Sequence, residues 1–423
     1  MAIEDLAQNL NLILLGVCTI FVFFMQAGFA MLESGLVRSK NTVNVLMKNY
    51  IDVGVGTLTF WLVGYGLMYG ASEGGWFGTS HFTFSGDGSE SMFFIFQAMF
   101  AATAVTIVSG AVAERIRYLA YILVSIFICG IIYPVYGHWA WGGLGNAINP
   151  NTWTETQGWL EAQGFKDFAG SAVVHAVGGW CALAGVIVLG SRMGRFTTDD
   201  NESKTSNFIY GHNLPIVALG AFILWAGWFA FNMGSVGEVN ETVGTVLMNT
   251  HLAGAAGCLG MIVFLILMGQ PIAFPVTING GLAGLVASCA GADVFAPGMA
   301  IITGFVAAIV AQSANMALER FRLDDAVGAV GVHGFAGAWG AIAAGLLAPD
   351  TFLQLAQLKI QLIGVVLSFV WAFPVAFIAF KIISVVMPLR VSTREERRGL
   401  DFAEHNEIGY PEFMTAVTHQ GAK

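Results

Sequence analysis

Two acids and two histidines sit in stretches that are otherwise apolar. In DFAGSAVVHAVGG, Asp167 precedes His175 by eight residues, and in DAVGAVGVHGFAGAW, Asp325 precedes His333 by the same interval. A neutral imidazole donates through one ring nitrogen and accepts through the other, so two rings in contact can hand a proton along. Inside a membrane such groups are turned inward and paired, because an unpaired one is costly. A single histidine of this kind reads best as a satisfied core residue. Two at matching positions point to function, because one offset of 158 residues relates Asp167 to Asp325, His175 to His333, Gly170 to Gly328, Val174 to Val332 and Gly179 to Gly337. Metal chemistry is disfavoured, since each acid lies two helical turns, ~12 Å, from its histidine and cannot share an ion with it. No enzyme activity, metal or cofactor is expected.

The elements that hold these residues follow from composition. The chain of 423 residues is 56% hydrophobic and 11% charged, with mean hydropathy +0.71, too little polar surface to coat a soluble globule. It is expected to be a polytopic membrane protein, with the lipid bilayer as its surroundings. Its net charge of −9 sits mostly in loops, and nucleic acid is excluded as a partner. The five cysteines stand singly in apolar runs and read as packing residues, not disulfides. The start, MAIEDLAQ, is acidic and runs straight into a span, so no cleaved signal is expected.

Stretches of about 20 apolar residues begin near Leu10, Val43, Met92, Tyr118, Ala169, Leu214, Thr242, Thr277, Met299, Gly328 and Ile360. The Gly-rich region from Pro271 to Gly291 gives the faintest signal. Arg38, Lys40, Lys48, Arg115, Arg117, Arg192, Arg195, Lys204, Arg320, Arg322, Lys381, Arg390, Arg394, Arg397 and Arg398 fall on one set of connections. The alternate set holds only Lys166 and Lys359, with Glu73, Asp87, Glu90, Glu155, Glu161, Glu238, Glu241 and Asp293. By the positive-inside rule the amino terminus is outside the cell (inner or plasma) membrane and the tail is cytosolic.

The expected architecture is therefore all-α, with eleven transmembrane helices: two inverted five-helix repeats, about residues 10–190 and 214–348, and a final helix over about 360–388. Residues 1–390 form one membrane domain and 391–423 a cytosolic tail, possessing helical character near Thr393 to Arg398. Inverted duplicates place a substrate path at their interface, so His175 and His333 are expected to meet there.

Other polar and aromatic residues divide between packing and function. Glycines at 328, 331, 334, 337 and 340, and at 170, 178, 179 and 185, leave faces that let helix backbones approach closely. Asp167 and Asp325 head their helices, where a carboxylate accepts from free N–H groups. Capping alone explains both, and Asp167, on the outer side, could also bias the local field toward cations. His138 and Trp139 in YGHWAWGG read as an outer aromatic belt, while Trp141 stays open between belt and site. WFAFNMGS, Trp228 to Ser235, offers ring faces and a hydroxyl able to take a small cation. Phe96 and Phe100 share one helix face, as core or as gate. Glu33 in MLESGLVRSKN is expected to snorkel beside Arg38. Asp52 and Glu114 receive no assignment.

These stretches resemble the ammonium transporter family, the Amt/Mep/Rh group. DFAGSAVVHAVGGWCALAGVIVLGSR is similar to that family's signature throughout, and FQAMFAATAVTIVSGAVAERIR, HWAWGG, GHNLPIVALGAFILWAGWFAFNMGS, VGVHG and RGLDFAEHNEIGYPEF extend the resemblance over nearly the entire chain. Trp141 favours the Amt/Mep branch, because Rh members usually lack that tryptophan. The resemblance implies ammonium or ammonia as substrate and an outer recruitment site of Phe96, Phe100, Trp141 and Ser235. It implies a stacked gate of Phe100 and Phe231, a pore-lining pair His175 and His333, and Asp167 as a structural, cation-recruiting acid. It also implies a homotrimer with one pore per subunit and a tail packed under a neighbouring subunit. A PII-type regulatory protein at the cytosolic face is a candidate partner. Ala326 in LDDAVG departs from a proline common in the family, and MLESG departs from versions with aromatic and glycine residues there. Two other functions fit the same bundle: an ammonium sensor, which would carry no current, and an Rh-like neutral ammonia channel, which would take up ammonia without charge.

Overall fold

Backbone polar groups find no partner in hydrocarbon, so a spanning segment must satisfy them internally. The computed structural model describes residues 3–144, 157–198 and 204–413. Glu155 and the tail beyond residue 413 lie outside the described residues. The bundle is built from α1 (Ile3–Leu36), α2 (Ser39–Tyr69), α3 (Gly88–Ala111), α4 (Tyr118–Trp141), α5 (Ser171–Leu189), α6 (Leu214–Gly234) and α7 (Thr242–Leu267). It continues with α8 (Phe274–Ser288), α9 (Pro297–Arg320), α10 (Val330–Leu347) and α11 (Leu355–Val386).

Among the described residues, ten of these helices are long and apolar enough to cross a membrane. The exception is α8, the helix with the faintest sequence signal: its 15 residues rise only ~22 Å against a hydrocarbon core of ~30 Å. The backbone beyond its end is satisfied by protein. Phe168 and Ala169 N–H groups donate to the Ala290 and Cys289 carbonyls at 3.1 and 2.7 Å. The connection after α5 adds a short antiparallel pair, Phe196–Thr198 with Lys204–Ser206, that the sequence patterning does not announce.

Corresponding helices of the two halves that the 158-residue offset relates pack together. Their first helices, α1 and α6, lie against one another through glycine: a Cβ on Gly220 would stand 2.5 Å from the Leu32 amide nitrogen, and one on Gly28 2.8 Å from Leu224. Their fifth helices, α5 and α10, meet through glycine as well.

Two expectations are corrected. His138 and Trp139 do not form a belt facing lipid, because the α2–α3 connection folds over them and both are buried. His138 bonds Ser72 Oγ and the Met68 carbonyl, each at 2.8 Å, and Trp139 donates to the Trp76 carbonyl at 2.8 Å. Glu33 does not snorkel beside Arg38 either. It lies on the face of α1 that meets α2 and α3, where Asn49 and Ser109 donate to its carboxylate at 3.0 and 2.9 Å. Arg38 pairs instead with buried Glu114.

The tail forms α12 (Thr393–Arg398), opened by a capping box between Ser392 and Glu395, and α13 (Leu400–His405). It packs on its own bundle through Asp401, whose carboxylate accepts from the Asn44 N–H at 2.9 Å, and through Lys40, which donates to the Glu396 carbonyl at 2.9 Å. Beside it, Arg192 grips Asp324 through two parallel bonds of 2.8 and 2.9 Å. Burial pushes the Asp324 carboxyl up, but the hydrogen bonds and charge of Arg192, with Arg115 behind it, hold it well below the usual carboxylate range. A depressed folded value gives stability that is present above the unfolded value near ~3.9 and is lost as pH falls through the folded one. Asp324→Asn is expected to lower the thermal unfolding midpoint in detergent at neutral pH, by the equivalent of about 1.5–3 kcal/mol, since it removes the bidentate charged partner of a buried guanidinium that keeps only Glu114 at 3.8 Å. The gap to wild type narrows only in strong acid; an equal midpoint at neutral pH contradicts this.

Candidate functional site

The two histidine-bearing helices begin by the same device. Asp167 Oδ2 accepts from the Ala172 and Val173 N–H groups at 3.0 and 2.8 Å. Asp325 accepts from Val327, Gly328 and Val330 at 3.2, 2.9 and 2.7 Å. Each carboxylate thereby satisfies N–H groups that a helix start leaves unpaired. Gly170 and Gly328 turn the chain with φ of 103° and 81°, a conformation in which glycine has no Cβ to clash. That is why α5 and α10 begin two residues later than the apolar pattern predicts. Both then open with a widened turn, 171–176 and 330–335, in which N–H groups reach back five residues. His175 and His333 sit inside these turns.

Glycine lets the turns cross. A Cβ on Gly179 would fall 2.2 Å from the Gly334 nitrogen, and one on Gly337 2.3 Å from the Ser171 carbonyl oxygen. Backbone meets backbone, and His175 Nδ1 lies 3.2 Å from His333 Nδ1. Only one of the two nitrogens can carry the hydrogen between them, so one ring donates and the other accepts. Gly337→Ala is expected to force the helices apart and lower the unfolding midpoint by the equivalent of about 1–3 kcal/mol, the usual range for overpacking. An unchanged midpoint contradicts the crossing.

Aromatic rings continue from His175 toward the Trp141 end. Trp228 stacks on His175 at 5.3 Å between centroids, Phe231 lies at 5.5 Å, and Phe231 stacks on Phe100 at 4.0 Å and 17°. Phe96 is 4.7 Å and Trp141 6.3 Å from Phe100. The Trp141 indole N–H donates to the Asp167 carbonyl at 2.6 Å, fixing the ring. Ser235, at the end of α6, donates to the Phe231 carbonyl at 3.0 Å, so its hydroxyl proton is engaged and its lone pairs are not. The sequence-derived residues thus form one continuous file: Trp141, Phe96 and Phe100, then Phe231, then His175 and His333, with Ser235 tied to Phe231 and Asp167 to Trp141.

Three further side chains lie beside the histidines, and the sequence placed none of them there. Trp228 belongs to WFAFNMGS, and its spacing of three from Phe231 was the available signal for a shared face. Cys289, whose Sγ accepts from the Trp228 N–H at 3.1 Å and lies 3.7 Å from His175 Nε2, gave no signal. Glu33 lines a cavity with His333, although its sequence context suggested an interfacial group. Among the described residues, no group of three or more His, Cys, Asp or Glu side chains is arranged to hold a metal.

The Ammonium Transporter Family model matches residues 13–410. A putative ammonium transporter of Synechocystis is 43% identical over 395 residues, covering 92% of this chain and 72% of its own. Ammonium transporter Amt2 of Archaeoglobus fulgidus is 41% identical over 432 aligned positions, covering 95% of this chain and 88% of its own. A solved structure described as a sensor Amt protein matches with a TM-score of 0.88 at 36% identity, over 95% of this chain and 100% of its own.

Proposed function

The chain belongs to the ammonium transporter family, and from that membership we propose that it recruits ammonium at an aromatic site, deprotonates it at a ring gate, and conducts ammonia past a histidine pair that carries the proton. The observation that supports this most strongly is the 3.2 Å contact between His175 and His333, directly behind the stacked Phe100 and Phe231 rings.

Charge and radius separate ammonium poorly from potassium, but hydrogen-bond donation does separate them. Ammonium donates to Ser235 while its charge rests on the faces of Trp141, Phe96 and Phe100, where cation–π contacts contribute about 0.5 to 2 kcal/mol as water is removed. Asp167 is committed to capping α5 through Oδ2, and its Oδ1 is buried without a hydrogen-bond partner; it favours a cation through its field and not by contact. Past the gate, an intact ion meets an apolar path whose desolvation penalty is several kcal/mol or more. Loss of a proton removes that penalty, and ammonia continues. The proton follows through the imidazoles, each donating at one nitrogen and accepting at the other.

The Trp141 end faces outside and the tail end faces the cytosol of an inner or plasma membrane, by the distribution of Arg and Lys. Three subunits assemble, each with its own pore, and the tail end is the face available to a PII-type regulator. Reconstituted protein is expected to give an ammonium-evoked current and none with potassium. Silence toward ammonium would favour a receptor, and ammonia uptake without current would favour a neutral channel.

A further inference from the structure

The histidine pair does not end the path. Toward the tail end, His333, Glu33 and Asn279 bound a small cavity of ≈ 20 Å³ whose remaining walls are apolar, among them Leu282 and Val332. That is room for a single water. His333 spends Nδ1 on His175, which leaves Nε2 for the cavity. Glu33 takes its hydrogen bonds from Asn49 and Ser109 on Oε2, which leaves Oε1. Two residues that line one water-sized space therefore each keep a polar atom that these bonds do not use.

Behind Glu33 lie two further ionisable groups, Lys48 and Asp52, and all three are buried. Lys48 donates to the Ser109 carbonyl at 2.6 Å. Asp52 has both oxygens engaged, by Tyr121 at 2.6 Å and Ser125 at 3.2 Å. Two carboxylates and one ammonium, all ionised, leave an unbalanced negative charge inside the bundle, which is costly there. A proton held on either acid lowers that charge. Of the two acids, Glu33 is the one that lines the cavity.

We infer that Glu33 is the proton-transfer group at the exit of the ammonia path, taking a proton from His333 through one water and giving it to ammonia that has passed the histidines. This rests on the twin-histidine reading. In the step, the His333 Nε2–H proton moves to the cavity water as a water O–H proton moves to Glu33 Oε1, His333 regains a proton at Nδ1 from His175, and the protonated acid then gives its proton to the ammonia lone pair. Ammonium and a carboxylate result, and the next proton from His333 restores the acid. No electrons change hands, and the regenerated ion leaves toward the tail end.

Glu33→Gln keeps the side-chain volume and the oxygen that Asn49 and Ser109 need, but it cannot carry the proton. In proteoliposomes its ammonium-evoked current is expected to fall by about tenfold or more, the scale of a lost proton-transfer group, while ammonia still alkalinises the lumen. Glu33→Asp should recover part of the current. Wild-type current in Glu33→Gln, where His333→Ala is silent, overturns the role of Glu33 alone; wild-type current in His333→Ala overturns the twin-histidine reading and this inference with it. Should Glu33→Gln fail to fold, infrared difference spectra of the wild type decide. Ammonium must change a protonated carboxylic acid band that moves in Glu33→Asp, and the absence of any responding band overturns the proposal.

Discussion

His333→Ala is expected to lower the ammonium-evoked current by about 100-fold or more while neutral ammonia still crosses. Apart from the two imidazoles, the rings Phe100, Phe231 and Trp228 carry no titratable group, and the thiol beside them, Cys289, touches His175 without reaching the Glu33 cavity. Without the ring pair, the proton must cross apolar surroundings as a charge. A penalty of even ~3 kcal/mol there corresponds to about 100-fold in rate. His175→Ala should give the same loss, because the 3.2 Å contact needs both rings. The double variant should be no worse than either single one, since a relay broken once is already broken. The measurement is current from reconstituted protein, together with the elution volume and unfolding midpoint of each variant. Wild-type current in a folded single variant would contradict the relay.

The second large effect concerns selection. Trp141→Ala combined with Ser235→Ala is expected to raise the half-saturating ammonium concentration by about 30-fold or more. A cation–π contact of ~0.5–2 kcal/mol and a hydrogen bond to a charged group of ~1.5–3 kcal/mol are removed together, and a combined loss of ~2 kcal/mol is already about 30-fold. Each residue is fixed by its own hydrogen bond at one end of the ring file. Trp141 is held by its bond to the Asp167 carbonyl, and Ser235 keeps its lone pairs available because its proton goes to the Phe231 carbonyl. The relay residues are untouched, so the maximal current at saturation should stay within a few-fold of wild type. A concentration dependence identical to wild type would contradict recruitment at these rings.

The parts of this arrangement that were legible in the sequence are the parts that repeat or recur at fixed spacing. One offset tied Asp167 to Asp325 and His175 to His333, and the eleven helices followed from counting apolar stretches. The capping role of both aspartates was readable because a carboxylate at the head of an apolar run has N–H groups to satisfy. What escaped depends on contacts between distant segments. The burial of His138 needs the α2–α3 connection to fold back over α4, and nothing local to YGHWAWGG specifies that. Glu33 was misplaced for a related reason: its partners Asn49 and Ser109 lie on α2 and α3, whereas the nearest visible cation in sequence was Arg38. The shortness of α8 was partly visible in its glycines, but the backbone bonds from Phe168 and Ala169 that complete it were not.

The central claim is that nitrogen crosses as a neutral molecule while its proton crosses on two imidazole rings. Simultaneous measurement of current and labelled-nitrogen uptake in the same proteoliposomes tests it directly. The account predicts one elementary charge per nitrogen in the wild type, and a ratio near zero with uptake retained in His333→Ala. Uptake without charge in the wild type, or one charge per nitrogen preserved in His333→Ala, would contradict it.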